Sequence, residues 1–247
     1  MNIAVIFAGG VGSRMNSKAK PKQFLNMHGK PIIIHTLEKF EEHKEIDAIV
    51  VACIQEWIPY LEKLLNKYNL EKVAKLVPGG INGQESIYLR LCAAENIAKQ
   101  EKNIVLIHDG VRPLINQKVI SSSISSVKLH GSAIACVKVK ETVLLVDDNN
   151  GIYEIPNRAC SRLARAPQSF WLDEILEAHK RAREENLLDF IDSCSMMQHY
   201  GKKLYLIDSP EENIKITTPE DFYIMRAMID AKEDSQIYGM EAEEGEA

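Results

Sequence analysis

"NIAVIFAGGVGSRMNSKAKPKQF", residues 2–24, is the stretch on which the fold turns. An apolar run, Ile3 to Phe7, breaks directly into Gly9, Gly10 and Gly12, and Arg14, Lys18, Lys20 and Lys22 follow. Runs of this kind belong to strands buried on both faces of a parallel sheet. A glycine turn at the end of such a strand lets backbone N–H groups approach an anion, and cations beside it complete a phosphate cradle. The stretch lacks the GKS or GKT of a Walker loop. It also departs from the dinucleotide fingerprint, because Arg14 and Met15 stand where the last glycine should lie. The plainer alternative is a glycine turn with solvated lysines, which leaves unexplained why Pro21 stiffens the backbone just before Lys22.

Outward from that stretch, apolar runs alternate with helical patterns. Strands are predicted at residues 3–7, 48–54, 74–79, 103–109 and 132–139, with helical spacing between them. Four repeats of this unit imply an α/β fold with a doubly wound, mostly parallel sheet. Residues 140–157, "KETVLLVDDNNGIYEIPN", read instead as a β-hairpin around a DDNNG turn, either a plain surface hairpin or an arm that packs on a second subunit. A helix over 172–185, a strand over 203–208 and a last helix capped by Thr218 with Pro219 at its first position close the pattern. The simplest organisation is one domain over residues 1–235 and an acidic tail over 236–247 expected to be disordered.

A net charge of −5 over 247 residues argues against a general nucleic-acid binder, so any positive site must be local. Five cysteines without CxxC spacing suit reduced, buried thiols in a cytoplasmic protein. No apolar run approaches the length of a membrane span.

Ligands of open α/β sheets bind beyond the carboxyl ends of the strands, and three further motifs fall there. "IHDGVRP", residues 107–113, places Asp109 where it could hold Mg²⁺ or make an Asx turn, with Arg112 free to meet an anion or pair with it. "PGGINGQES", residues 78–86, offers Gly79 and Gly80 for close backbone approach to a flat ligand, and Ser86 to cap the next helix or touch a base. "ENIKITTPEDF" sets Lys215 just before the last helix. There is no convincing Ser/His/Asp or Cys/His set, and His108 reads as structural.

"AGGVGSRM…PKQFL", "GG…S", "HDGVRP", "IPNR…APQSF" and "ENIKITTPEDF" together resemble, in order and spacing, the CTP-dependent cytidylyltransferases of alditol phosphates. The resemblance implies a Rossmann-like nucleotidyltransferase fold, CTP as donor, Mg²⁺ as cofactor, a small alditol phosphate as acceptor, and a homodimer formed through the arm. It assigns Arg14, Lys22 and Lys215 to catalysis, and Ala8, Gly9, Gly10, Gly12, Gly80 and Ser86 to the nucleotide. Asp109 would be the metal ligand. Arg112, Thr142, Arg158 and Asp192 would serve the acceptor, with Thr142 and Arg158 coming from the neighbouring subunit. Gly83, Gly110, Ala166 and Ile191 depart from residues usual in the family, mostly on the acceptor side. "EIPNR" followed by a small residue points to ribitol 5-phosphate as acceptor, with 2-C-methyl-D-erythritol 4-phosphate as the alternative. A non-catalytic nucleotide-binding scaffold is the reading from a different class.

Overall fold

The computed structural model describes residues 1–9, 20–80, 83–99 and 101–237. The elements in chain order are β1 (Asn2–Ala8), β2 (Asn26–Met27), β3 (Lys30–Pro31), α1 (Ile32–Glu41), β4 (Ala48–Cys53), α2 (Ile58–Lys67), β5 (Val73–Pro78) and α3 (Gly83–Ile97). There follow β6 (Ile104–Asp109), α4 (Gln117–His130), β7 (Ser132–Lys138), β8 (Leu145–Val146), β9 (Ile152–Glu154), β10 (Arg162–Trp171), α5 (Leu172–Glu184), α6 (Ser193–His199), β11 (Leu206–Asp208) and α7 (Pro219–Ile237).

Seven strands form the central sheet in the order β11-β7-β10-β6-β1-β4-β5. β1 pairs in parallel with both β4 and β6, so the chain winds one way through β4 and β5 and then crosses back past β1 to reach β6. That reversal puts the switch point of the sheet at the end of β1, where the opening glycines begin. All six residues of β4 and the first five of β6 are buried, as strands covered on both faces require. One apolar layer, built around Leu37, Phe40, Leu61 and Ile124, packs α1, α2 and α4 on one face. The other, around Leu91, Ala94, Ile175 and Met196, packs α3, α5 and α6 on the opposite face. Met225 of α7 joins a third cluster with Met27, Ile32 and Ile216, which holds the last helix against the strand ends.

The predicted strands and helices are present to within a few residues, and the hairpin forms as β8 and β9. Asp147 closes its turn by accepting the N–H of Asn149 at 2.9 Å and of Gly151 at 2.7 Å. The last helix has the expected cap, with Thr218 Oγ1 accepting the N–H of Asp221, and it runs to Ile237, two residues past the boundary read at 235. The remainder of the acidic tail, residues 238–247, lies outside the described residues. Cys160 is exposed rather than buried. No helix among the described residues is long and apolar enough to cross a membrane.

The main difference from the sequence pattern is β10, a ten-residue strand inserted antiparallel between β6 and β7, which the pattern did not disclose. Its arginines and Pro167 disguise it. The β10–β7 register shifts between Ala164 and Gln168, and Pro167 falls inside that interruption, where its missing N–H costs no ladder bond. α6 was likewise not anticipated. It is a seven-residue helix started by a capping box in which Asp192 accepts the N–H of Ser195 at 2.8 Å.

Candidate active site

The chain is fastened over residues 21–24, where the basic stretch ends. Pro21 caps a short turn over Lys22–Phe24, and buried Gln23 donates from Nε2 to the carbonyl of Ala8. Phe24 then stacks on Trp57 with ring centroids 4.9 Å apart. Lys22 thus stands directly before two anchored residues, beside the end of β1. Arg14, Gly10 and Gly12 lie outside the described residues.

On the neighbouring side, the turn after β5 meets the end of β1. A Cβ added to Gly9 would lie 3.7 Å from the Cα of Gly79. The N–H of Gly80 donates to Ser86 Oγ at 2.8 Å, so Ser86, buried at the start of α3, ties the turn to the helix. A Cβ on Gly80 would come within 2.8 Å of the Ser86 backbone nitrogen, so only glycine fits this turn as it stands. Ala8, Gly9, Gly80 and Ser86, the described members of the predicted nucleotide set, thus gather at one edge of the switch point.

Asp109 ends β6 on the other side of β1. Its two oxygens are gripped separately, Oδ1 by Lys215 Nζ at 2.7 Å and Oδ2 by Arg112 Nε at 2.8 Å. Burial alone would raise the carboxyl's pKa; the Lys215 ammonium and then the Arg112 guanidinium outweigh it and hold Asp109 well below the usual carboxylate range. Three residues drawn from two distant motifs thereby meet around one ionised carboxylate.

The cavity they line has a volume of about 460 Å³. Its far wall is the interrupted part of β10 with the loop before α6. One amide holds that loop: Gln84 donates to the carbonyl of Leu187 at 2.8 Å and accepts the N–H of Phe190 at 3.0 Å. Gln168 does the same for α6, donating to Asp192 at 2.8 Å and accepting the N–H of Cys194 at 2.8 Å. Asp192 lines the cavity while serving as this helix cap. Thr142 and Arg158 are exposed at the arm and do not line the cavity of their own chain. His108, next to Asp109 and buried, lies within reach of the Arg112 carbonyl at 3.2 Å and also lines the cavity.

Four polar residues at the site were not singled out from the sequence. Gln84 and Gln168 act through amides that look ordinary in a string of letters. Arg165 lines the cavity from β10. Arg90 is fully buried on α3, its guanidinium 4.8 Å from the centroid of the Phe7 ring, with Nη1 donating to the Ile6 carbonyl at 3.3 Å. Its Nε and Nη2 have no hydrogen-bond partner among the described residues, and burial pulls its pKa down to about 9 despite the charge of Asp109. The signal available was an arginine on the inward face of an otherwise apolar helix.

The model of the 2-C-methyl-D-erythritol 4-phosphate cytidylyltransferase family, IspD, matches residues 2–231. The chain belongs to this family. It is 53% identical over 239 residues to the ribitol-5-phosphate cytidylyltransferase of Vibrio parahaemolyticus, covering 97% of this chain and all of the relative. Against the 2-C-methyl-D-erythritol 4-phosphate cytidylyltransferase of Clostridium novyi the identity is 39%, covering 89% and 93% of the two chains. The crystal structure of 4-diphosphocytidyl-2C-methyl-D-erythritol synthase from Anaerococcus prevotii superposes with a TM-score of 0.80 at 25% identity, covering 93% of this chain and 96% of that one. The chain is thus a nucleotidyltransferase with the Rossmann-like fold of its structural neighbours.

Proposed function

We propose that the protein transfers the cytidylyl group of CTP to D-ribitol 5-phosphate, releasing pyrophosphate and forming CDP-ribitol. The observation that carries the chemistry is the convergence of Lys215, Arg112 and Asp109 at the switch point of the sheet, opposite the glycine turns. The higher identity to the ribitol-phosphate enzyme than to the methylerythritol-phosphate enzyme supports this choice of acceptor.

An oxygen of the acceptor's phosphate monoester attacks the α-phosphorus of CTP, the bond from that phosphorus to the β-phosphate oxygen breaks, and pyrophosphate departs with its electron pair. No covalent enzyme intermediate is needed. The protein must align two anions and neutralise charge growing on the transferring group and the leaving group. In this reading Gly9, Gly80 and Ser86 hold the nucleoside end, Lys22 and Arg14 meet the triphosphate, and Lys215 stands at the reacting phosphates. Thr142 and Arg158 reach the acceptor site of a partner subunit, with the arm as the dimer contact.

Asp109 suits Mg²⁺ as a single carboxylate ligand. It is ionised, and each oxygen keeps lone-pair capacity beyond the one cation it already accepts. Among the described residues, the sole group of three metal-type ligands, His28, Asp230 and Glu233, is exposed and does not include Asp109. Substrate phosphates and water would complete the shell, as Mg²⁺ prefers. When bound, the ion supplies charge neutralisation at the triphosphate.

The test is pyrophosphate release from CTP against a panel of alditol and sugar phosphates, with products identified by mass. Turnover with D-ribitol 5-phosphate well above every other acceptor is the expected result. Preference for 2-C-methyl-D-erythritol 4-phosphate would replace the acceptor, and CTP binding without any turnover would leave only a scaffold.

A further inference from the structure

Arg165 and Arg112 come from different parts of the chain and meet at one atom. The backbone carbonyl of Asn213 accepts Nη1 of Arg112 at 2.9 Å and Nη1 of Arg165 at 2.8 Å. Asn213 is fully buried. Its side chain donates to the Ala166 carbonyl at 2.7 Å and to Ser209 Oγ at 3.0 Å, joining β10 to the segment after β11. Asn213 therefore fixes two guanidiniums side by side at the wall of the cavity, and both of them line it.

A carbonyl dipole is weak compensation for two full positive charges. Arg112 has Asp109 as a counter-ion at 2.8 Å, but that carboxylate is also shared with Lys215. Arg165 makes no ion pair among the described residues; Glu211 affects its charge only at longer range. Burial, then repulsion from Arg112, weakens the hold of Arg165 on its proton, as expected for like charges held together without enough anion between them. Such an arrangement persists when a ligand supplies the missing charge. Guanidiniums in a fixed plane suit a phosphate, which can accept paired hydrogen bonds from them.

We propose that Arg165 and Arg112 form a clamp for the phosphate of the acceptor, with Arg165 the half that determines acceptor binding and Asn213 the residue that positions both. Arg165 comes from β10, on one side of β6, whereas Gly9 and Gly80 follow β1 and β5 on the other side, so the clamp is assigned to the acceptor's phosphate rather than the nucleotide's. The proposal rests on the cytidylyltransferase reading of this cavity and adds to it a residue that neither the motifs nor the family assignment supplied.

Two measurements on the full-length protein test it. In initial-rate kinetics, Arg165→Gln should raise KM for D-ribitol 5-phosphate by about 10- to 100-fold, the loss of one charge-assisted hydrogen-bonding group, while KM for CTP stays within about twofold. Arg165→Lys should restore part of the loss, since it returns the charge without the fork. In calorimetry, the wild type should bind inorganic phosphate and Arg165→Gln should not, with CTP binding retained by both as evidence of an intact fold. An unchanged acceptor KM, or an equal loss in CTP affinity, would overturn the clamp, the latter assigning Arg165 to the triphosphate instead. If the wild type turns over no alditol phosphate, the proposed function fails, and phosphate calorimetry still decides whether Arg165 binds an anion.

Discussion

At the scale of single residues, the site is a matter of charge held in place. Lys215→Met removes one of the two cations on Asp109 and leaves a buried carboxylate half-compensated. Turnover should fall by about 10²- to 10³-fold, the usual loss for one preorganised charge-stabilising donor, read as kcat at saturating CTP and acceptor. Lys22→Ala should cost about 3 to 4 kcal/mol of transition-state stabilisation on the same grounds, and unchanged kcat/KM would remove Lys22 from the proposed catalytic set. Gly80→Ala drives a Cβ into the backbone of Ser86. A destabilisation of about 1–3 kcal/mol in denaturant unfolding, with weaker CTP binding, is expected from that overpacking. Asp109, Arg112 and Lys215 were legible in the sequence because each stands in a motif at a strand or helix end. Asn213 was not, since half of its work is done by a backbone carbonyl that any residue carries. Arg90 and Arg165 were hidden because their meaning depends on what surrounds them in space.

At the scale of elements, the parallel strands declared themselves because burial on both faces leaves an uninterrupted apolar run. β10 did not, since its first half is exposed and its second half contains proline. The hairpin was legible from its turn chemistry, but its exposed apolar side chains were not. Val146, Ile152, Tyr153 and Ile155 are all large, apolar and about half or more exposed on a two-stranded hairpin that has no core of its own. If the arm makes the dimer, Tyr153→Lys combined with Ile155→Glu should yield monomers in analytical ultracentrifugation with little change in melting temperature. Acceptor KM should rise at the same time, because Thr142 and Arg158 would no longer reach a neighbouring cavity. A stable dimer with unaltered kinetics would separate the arm from both roles.

At the scale of the whole molecule, two buried histidines give the fold a directional response to acid. Burial lowers His108 to about 4 against the opposing charge of Asp109, and lowers His179 to about 4 with the help of Arg90 and Arg183. The unfolded chain would take up these protons near the ordinary value of about 6.5, whereas the folded protein resists until about 4. The stabilisation is therefore complete above pH 6.5 and is lost as pH falls from 6.5 toward 4, by roughly 3 kcal/mol per histidine. Asp109 loses its proton far below that window, so its ion pairs survive throughout it. Denaturant midpoints at pH 7.5, 5.5 and 4.5 should show the decline, and His179→Leu should remove about half of it. The sheet itself carries a different kind of consequence. In the proposed reading the donor meets Gly9 and Gly80, at the ends of parallel strands laid down early in the chain, while β10 brings the acceptor wall in antiparallel and much later. Because that wall lies where β10 loses register with β7, substitutions there should leave the parallel strands β1, β4 and β5 in place. Such a scaffold is modular in the sense that matters to inheritance and to protein engineers: the currency of the reaction can stay constant while its customers change.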